Sequence, residues 1–365
     1  MKERVLVRKV TDLARDVAEA LDFLEQDFRG LRVWVKPNLL GAHPPERGIN
    51  TNPELLRQVV RQLKARGATQ VRVTDNPGMS LSGSVAAFLA PTGVIEASEG
   101  CFCSPADSPV SMPLKSRFVP EVCVSGLMRE VDLLLNLPVF KTHGLTLITG
   151  AIKNLFGVVV GAQKSQLHAR CPGMTEFSEL VVDIYQALPR PVLHIMDALR
   201  GMDGQNGPAS GRLLNIGRLL ASRNGVALDS VMTMMAGKRP DYVPMLRIAG
   251  NRNLGPTEPE DIEVSGDFEA IRGFRMPSSQ LGRFAGAASG VYRLLTRNPR
   301  VDQKNCNSCR DCAEKCPVQA IQLNPELVID RARCVRCFCC VEVCPERAML
   351  IPSLHRSIWH NLVGR

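Results

Sequence analysis

The stretch VDLLLNLPVFKTH, Val131 to His143, is almost continuously apolar as far as Phe140 and then turns to Lys141, Thr142 and His143. A strand covered by helices on both faces reads this way, because neither face of such a strand meets water. Outward from it, RVWV at Arg32–Val35, QVRVTD at Gln70–Asp75 and VLHIMDA at Val192–Ala198 read as further strands. Between them lie helical patterns. PELLRQVVRQLKARG has Pro53 near its start and Gly67 at its stop, and EFSELVVDIYQAL at Glu176–Leu188 and GVALDSVMTMMAG at Gly225–Gly237 follow. The alternation predicts an α/β fold with a mostly parallel sheet flanked by helices.

The strand ends carry chemistry. They run into KPN (Lys36–Asn38), TDNPG (Thr74–Gly78), KTH and DALRGMDGQNGP (Asp197–Pro208). In parallel α/β sheets, ligands bind beyond the carboxyl ends of the strands. Lys141, His143, Lys153, Lys164 and His168 then fall within 28 residues that contain no Asp or Glu. Lysines interleaved with glycines and apolar residues suit an anion such as a carboxylate or phosphate. Neither G-x-x-x-x-G-K-[ST] nor G-x-G-x-x-G occurs, so no nucleotide loop is read here. Asp75, Asp197 and Asp203 are candidate acid/base groups or hard-metal ligands, and spacing does not choose between these. The pair His168 and Cys171 reads as structural.

Thirteen cysteines are present, nine of them between Cys306 and Cys344. CNSCRDCAEKCP begins at Cys306, and CVRCFCCVEVCP begins 28 residues later at Cys334. Each run is C-x2-C-x2-C-x3-C-P, and soft thiolates in fours suit iron–sulfur clusters. In two-cluster proteins the fourth cysteine of each run ligates the other cluster. One [4Fe-4S] cluster then takes Cys306, Cys309, Cys312 and Cys344, and the other takes Cys334, Cys337, Cys340 and Cys316. Short apolar strands, AIQL and AMLI, follow the two runs. Residues 301–352 thus resemble a bacterial-type, ferredoxin-like α+β module with two [4Fe-4S] clusters. Cys339 is extra to the pattern and reads as a small packed residue. Cys101, Cys103, Cys123 and Cys171 read as free thiols.

No apolar run reaches the length of a membrane span, and the first residues lack the apolar core of a secretory signal, so a cytoplasmic protein is expected. The net charge is +9, with Arg272, Arg275, Arg283, Arg293, Arg297 and Arg300 forming a basic stretch. Without interleaved aromatics this stretch reads as a solvated linker rather than a nucleic-acid surface. It is also suited to steering an acidic electron-transfer partner. The expected organisation is an α/β domain over 1–272, a linker or packing helix over 273–300 (LGRFAGAASGVYRLL), the iron–sulfur module over 301–352, and a tail over 353–365 that packs on the protein.

In order, VKPNLL, VTDNPG, NLPVFKTH, GAIKNLFGVVVG followed by KSQLH, and IMDALRGMDGQNGP resemble the domain of unknown function 362 family over about residues 30–235. The resemblance implies the domain layout and a redox context, since members often carry a C-terminal ferredoxin-type module. It supplies no substrate. By motif position it implies a site built from Lys36, Asn38, Asp75, Lys141, His143, Lys153, Asn154, His168 and Asp197. TDNPG departs from the more glycine- or serine-rich loop common in other members, which leaves Asn76 without an assigned role. The expected function is an iron–sulfur oxidoreductase that receives electrons from a ferredoxin- or flavodoxin-like carrier. It would pass them to an anionic substrate, or to a further cofactor whose identity the sequence does not give. His143, Lys153 and Asp197 are the expected catalytic groups, and Lys36, Asn38, Asp75, Lys141, Asn154 and His168 the expected binding groups. Two other readings stay open: an electron relay without chemistry of its own, and clusters with a structural or sensory role.

Overall fold

A computed structural model describes residues 2–77, 84–105, 108–161, 163–278 and 298–352. The helix expected over residues 281–295, the tail from residue 353, and Gly78, Arg283, Arg293 and Arg297 lie outside the described residues.

The main sheet is built from β1 (Glu3–Lys9), β2 (Arg32–Pro37), β3 (Gln70–Val73), β4 (Leu133–Leu137), β5 (Val139–His143), β6 (Val192–Asp203), β7 (Arg212–Ser222) and β8 (Ile262–Gly266). Its order is β8-β1-β7-β6-β4-β2-β3, and β5 pairs with the far half of β6. The pairs β8/β1, β6/β4, β4/β2 and β2/β3 are parallel, while β7 runs antiparallel to both of its neighbours. The sheet is therefore mixed and mostly parallel.

Alternate side chains enter two separate cores. Val33, Val35, Leu133, Leu135 and Ile195 point to one side, and Trp34, Leu134, Met196 and Leu220 to the other. Helices α1 (Leu13–Phe23) and α2 (Pro53–Ala65) cover the first side. On the second side lie α3 (Gly150–Asn154), α5 (Met174–Ala187) and α6 (Gly225–Met235), with α4 (Gln163–Arg170) between α3 and α5 in sequence. Helix α2 shows why the chain folds locally as it does. Asn52 accepts hydrogen bonds from the Glu54 and Leu55 N–H groups, Pro53 occupies the first turn, and Leu55, Leu56, Val59, Val60 and Leu63 form the buried stripe.

The opening stretch differs from the single strand its apolarity predicts. Pro138 divides it into β4 and β5, because proline has no N–H for a ladder. The Pro138 carbonyl instead accepts from the Asp197 N–H at 2.8 Å. Beyond this point β5 follows β6, with Val139 opposite Asp197 and Lys141 opposite Met202.

The C-terminal module contains β9 (Arg300–Val301) paired with β12 (Met349–Leu350), and β10 (Ile321–Leu323) paired with β11 (Leu327–Ile329). Two short helices, α7 (Asp311–Glu314) and α8 (Cys339–Val343), sit at matching places in the two cysteine runs. The 28-residue duplication extends to the backbone. Ser308 and Arg336 both have φ 60°, Arg310 and Phe338 have φ 70° and 60°, and Gln319 and Arg347 have φ 51° and 57°. The Ala320 N–H donates to the Cys316 sulfur at 3.1 Å, and the Ala348 N–H donates to the Cys344 sulfur at 3.2 Å. Left-handed residues beside right-handed ones turn successive N–H groups inward, a geometry that suits iron–sulfur sites.

A chain of amides ties the strand ends together. Lys141 donates to Asn38 Oδ1, and Asn38 Nδ2 donates to Asn154 Oδ1 at 2.8 Å. Asn154 Nδ2 donates to Asn136 Oδ1 at 2.7 Å, and Asn136 Nδ2 reaches His194 Nδ1 at 3.1 Å. An ammonium has no acceptor, so Lys141 fixes the sense of every amide after it. His194 Nδ1 must accept, and its proton sits on Nε2. Burial holds His194 neutral, with its pKa lowered to about 3.

Asn154→Asp replaces the donor in the middle of this chain with an acceptor facing Asn136 Oδ1. The expected loss is about 2–3 kcal/mol in urea unfolding, the range for an unpaired buried polar group with some charge. Asn154→Ala should cost less, because it leaves no opposing acceptor.

Candidate functional site

A cavity of about 90 Å³ opens beyond the ends of β2 and β3. Asn38, Asp75 and Asn76 line it from the strand ends, and Thr149, Lys153, Asn154, Lys164 and His168 from the segment around α3 and α4. The remaining wall comes from the iron–sulfur module: Lys315, Cys339, Glu342 and Val343.

Lys36 and Asp75 form a buried pair, with Lys36 Nζ 2.7 Å from Asp75 Oδ1. Asp75 also accepts from the Leu39 and Asn76 N–H groups. Gly157 lets this pair form, since a Cβ at that position would collide with both the Asp75 carboxylate and the Lys36 tip. Burial lowers the Lys36 pKa, and Asp75 opposes the shift. Asp75 faces the cavity, whereas Lys36 and Lys141 stand behind its wall.

Lys141 donates to Asn38 Oδ1 and to the Ile49 carbonyl, and burial brings its pKa down to about 7. Of the expected binding groups, Lys36 and Lys141 lie outside the cavity lining, and their amines hold Asp75 and Asn38. Asp197 also lies apart from the cavity. Its carboxylate accepts from the Asn52 N–H at 2.7 Å and the Leu199 N–H at 3.1 Å. Burial raises its pKa to about 6 even so. Asp197, an expected catalytic group, thus links β6 to the start of α2 through these two hydrogen bonds.

Like Lys315, Lys153 faces the cavity without a hydrogen-bonded acceptor among the described residues. Its Nζ lies 5.7 Å and 5.8 Å from the ring centres of Phe156 and Phe177. Burial lowers its pKa, and the Glu342 charge opposes that. Lys164 donates to the Asn76 carbonyl, and burial lowers its pKa to about 7. His168 stacks on Phe177 with ring centres 4.1 Å apart, and burial holds it neutral, its pKa lowered to about 3. His168 Nδ1 and Thr149 Oγ1 are buried with no hydrogen-bond partner among the described residues.

His143 meets the iron–sulfur module. Its Nδ1 accepts from the Leu145 and Thr146 N–H groups at 3.0 and 3.2 Å, so its proton sits on Nε2. Nε2 lies 2.8 Å from Glu342 Oε1, off the line of a well-formed hydrogen bond. Burial lowers the His143 pKa to about 4. Burial opposes the charge of Glu342, but His143, Lys153 and His168 outweigh it and hold this carboxyl well below the usual range. Two further ties join the same surfaces. Arg47 donates to the Pro345 carbonyl at 3.1 Å, and the Ile351 N–H donates to Asn206 Oδ1 at 2.7 Å. Gly144 leaves room for Ile351 where a Cβ would collide with its tip.

Two hollows lie inside the module. One is lined by Cys306, Cys309, Cys312 and Cys344, and the other by Cys316, Cys334, Cys337 and Cys340 together with Cys339. Four sulfurs around a small hollow are the donor set of a four-iron cluster. Cys339 also lines the cavity, so one residue borders both volumes. Sequence reasoning left Glu342, Lys315, Thr149 and Asn136 out of the site.

Residues 299–348 match a 4Fe-4S dicluster domain, so this is an iron–sulfur protein of the electron-transfer kind. A thylakoid-associated protein of Synechocystis sp. is 29% identical over 242 residues, which is 63% of this chain and 71% of that protein. Among solved structures, the lactate racemase apoprotein of Thermoanaerobacterium thermosaccharolyticum aligns with a TM-score of 0.40 at 13% identity, over 65% of this chain and 57% of that one. A Thermotoga maritima protein aligns with a TM-score of 0.37 at 9% identity, over 58% of this chain and 55% of that one. The chain thus spans little more than half the length of either solved structure. Among the described residues no helix is long and apolar enough to cross a membrane. Residues 33–234, more than half of the chain, match the family described as a domain of unknown function (DUF362), and the protein belongs to that family.

Proposed function

We propose that this protein is an iron–sulfur oxidoreductase in which two [4Fe-4S] clusters serve a small anion, substrate or cofactor, bound in the cavity. In this reading Cys306, Cys309, Cys312 and Cys344 hold the first cluster, and Cys334, Cys337, Cys340 and Cys316 hold the second. The clusters supply electrons one at a time. The observation that carries the reading is the shared wall: Cys339 and Glu342, from the second cysteine run, line the same cavity as Lys153 and His168. A simple tether between two modules would not need a cysteine run as part of the cavity.

The chain's own residues take distinct roles. Lys153 meets the anion, since it faces the cavity without a bound acceptor. Thr149 and His168 offer polar atoms that a ligand would satisfy. Lys164, with a pKa lowered to about 7, holds a proton it can release near neutral pH. His143 orients Glu342, and Lys141 and Lys36 hold the amides and Asp75 in place. The cavity volume of about 90 Å³ suits a small organic acid or an inorganic oxyanion.

The holoprotein is reduced without oxygen and mixed with a metabolite extract, while cluster reoxidation and metabolite loss are followed together. The expected result is selective loss of one small anion. Lys153→Ala should weaken its binding about 10- to 100-fold, the worth of a hydrogen bond to a charged group. Reoxidation only by added ferredoxin or flavodoxin, equal in both proteins, would make the molecule a relay.

The buried lysines also set a pH dependence. Lys164 has a folded pKa below its unfolded value, so above pH 7 the free site loses a proton that an anion prefers to find there. Binding of the identified anion should weaken by up to about tenfold per pH unit above 7, and Lys164→Met should flatten that slope. Calorimetry between pH 6 and 9 reads both effects.

A further inference from the structure

The cavity has an amine that does not come from the α/β part. Lys315 stands one residue before Cys316 in the first cysteine run, and it lines the cavity together with Cys339, Glu342 and Val343 of the second run. It is 9% exposed, and its ammonium has no hydrogen-bonded acceptor among the described residues. An ammonium carries three donors and is costly to bury without a partner. The 28-residue repeat supplies a comparison for this position. The counterpart of Lys315 is Val343, which lines the same cavity and is 7% exposed, so an apolar side chain meets the packing needs of the place. A lysine there answers some other need. From the α/β part, Lys153 also faces the cavity without a bonded acceptor, and Thr149 and His168, 4% and 5% exposed, each carry an unpartnered polar atom. The carboxylates of the lining are engaged elsewhere: Asp75 pairs with Lys36, and Glu342 lies beside His143. Hydrogen-bonding capacity left open by both parts of the chain therefore meets in one cavity.

We propose that the ligand of this cavity is a small dianion gripped by Lys315 from the iron–sulfur module and by Lys153 and Thr149 from the α/β part, so that binding it ties the two parts together. This rests on the reading of the cavity as an anion site and adds its substrate class. Charge-assisted hydrogen bonds are the strong ones, and two ammonium groups from separate parts of the chain each gain most from a charged oxygen of their own. A monocarboxylate has one charge to divide between them. A phosphate-like oxyanion or a short dicarboxylate has two. The site is then incomplete in either part alone, and the first cysteine run, not only the second, contributes to recognition.

The test titrates anaerobic holoprotein with inorganic phosphate, malonate and acetate in a calorimeter. Phosphate or malonate should bind about tenfold or more tighter than acetate, the worth of one further hydrogen bond to a charged group, and whichever leads tells a tetrahedral oxyanion from a dicarboxylate. Lys315→Met keeps the apolar stem. It should weaken the leading dianion about 10- to 100-fold, narrow its lead over acetate and leave the iron content unchanged. Lys315→Arg, which keeps the charge, should recover part of the loss. On the unaltered protein the same dianion should protect Lys315 and Lys153 from amine acylation, read by mass spectrometry, which keeps the test decisive where Lys315→Met loses iron. Acetate binding as tightly as either dianion would overturn the proposal. So would parent-like dianion binding in Lys315→Met, or a Lys315 left unprotected beside a protected Lys153, and both would leave the anion site standing on Lys153. Failure of all three probes to bind the parent protein would overturn the anion-site reading, and the proposal with it.

Discussion

Glu342 brings a carboxylate of the iron–sulfur module into a region of the α/β part that is rich in buried cations. Lys153 has no hydrogen-bonded anion among the described residues and is influenced by the Glu342 charge at longer range, while His143 turns its Nε2 proton toward Glu342 Oε1. An ionised carboxylate buried without such partners would be costly, and so would Lys153 without Glu342. Each side therefore makes the burial of the other tolerable. The docking of the module is consequently electrostatic at its centre, with Arg47, Asn206 and the Gly144–Ile351 contact around it.

The same constraint explains how the four lysines that the α/β part brings to the region divide their work. Lys36 is neutralised by Asp75, and Lys141 is held by neutral oxygens of Asn38 and Ile49. Neither has an unsatisfied donor aimed at a ligand. Lys153 and Lys164 remain on the cavity side, one held only by distant charge and ring faces, the other by a single carbonyl. A site with more positive charge than its own carboxylates balance is arranged to receive an anion, and burial keeps its amines near the point of losing protons.

Much of this was legible in the sequence, and for local reasons. Ligand spacing in the cysteine runs is set within twelve residues, so the runs can be read without a fold. The strand ends KPN, TDNPG and KTH follow from apolar runs that stop abruptly, and Asn38, Asp75, Lys153, Asn154 and His168 do line one cavity. What was not legible depends on partners distant in the chain. Nothing beside Asp197 reveals that its oxygens are taken by the N–H groups of Asn52 and Leu199. Pro138 looked tolerable inside a long apolar strand, yet it marks the crossing from β4 to β5. Glu342 was invisible because its counterpart Glu314 occupies the same place in the first run, and a duplicated motif hides which copy is used.

That concealment points to how the module is specialised. The duplication keeps what a cluster environment requires: the left-handed residues at 308/336, 310/338 and 319/347, and the N–H groups of Ala320 and Ala348 on cysteine sulfurs. The copies diverge where the second meets the α/β part. Glu314 is exposed while Glu342 is largely covered and lies beside His143, and Cys339 stands where the first run has Asp311. Backbone geometry is shared because both copies gather four sulfurs. Side chains differ because the second copy forms most of the module's wall of the cavity. A symmetric electron carrier would have no physical reason to break its symmetry at these positions, whereas a carrier that faces a bound anion on one side does.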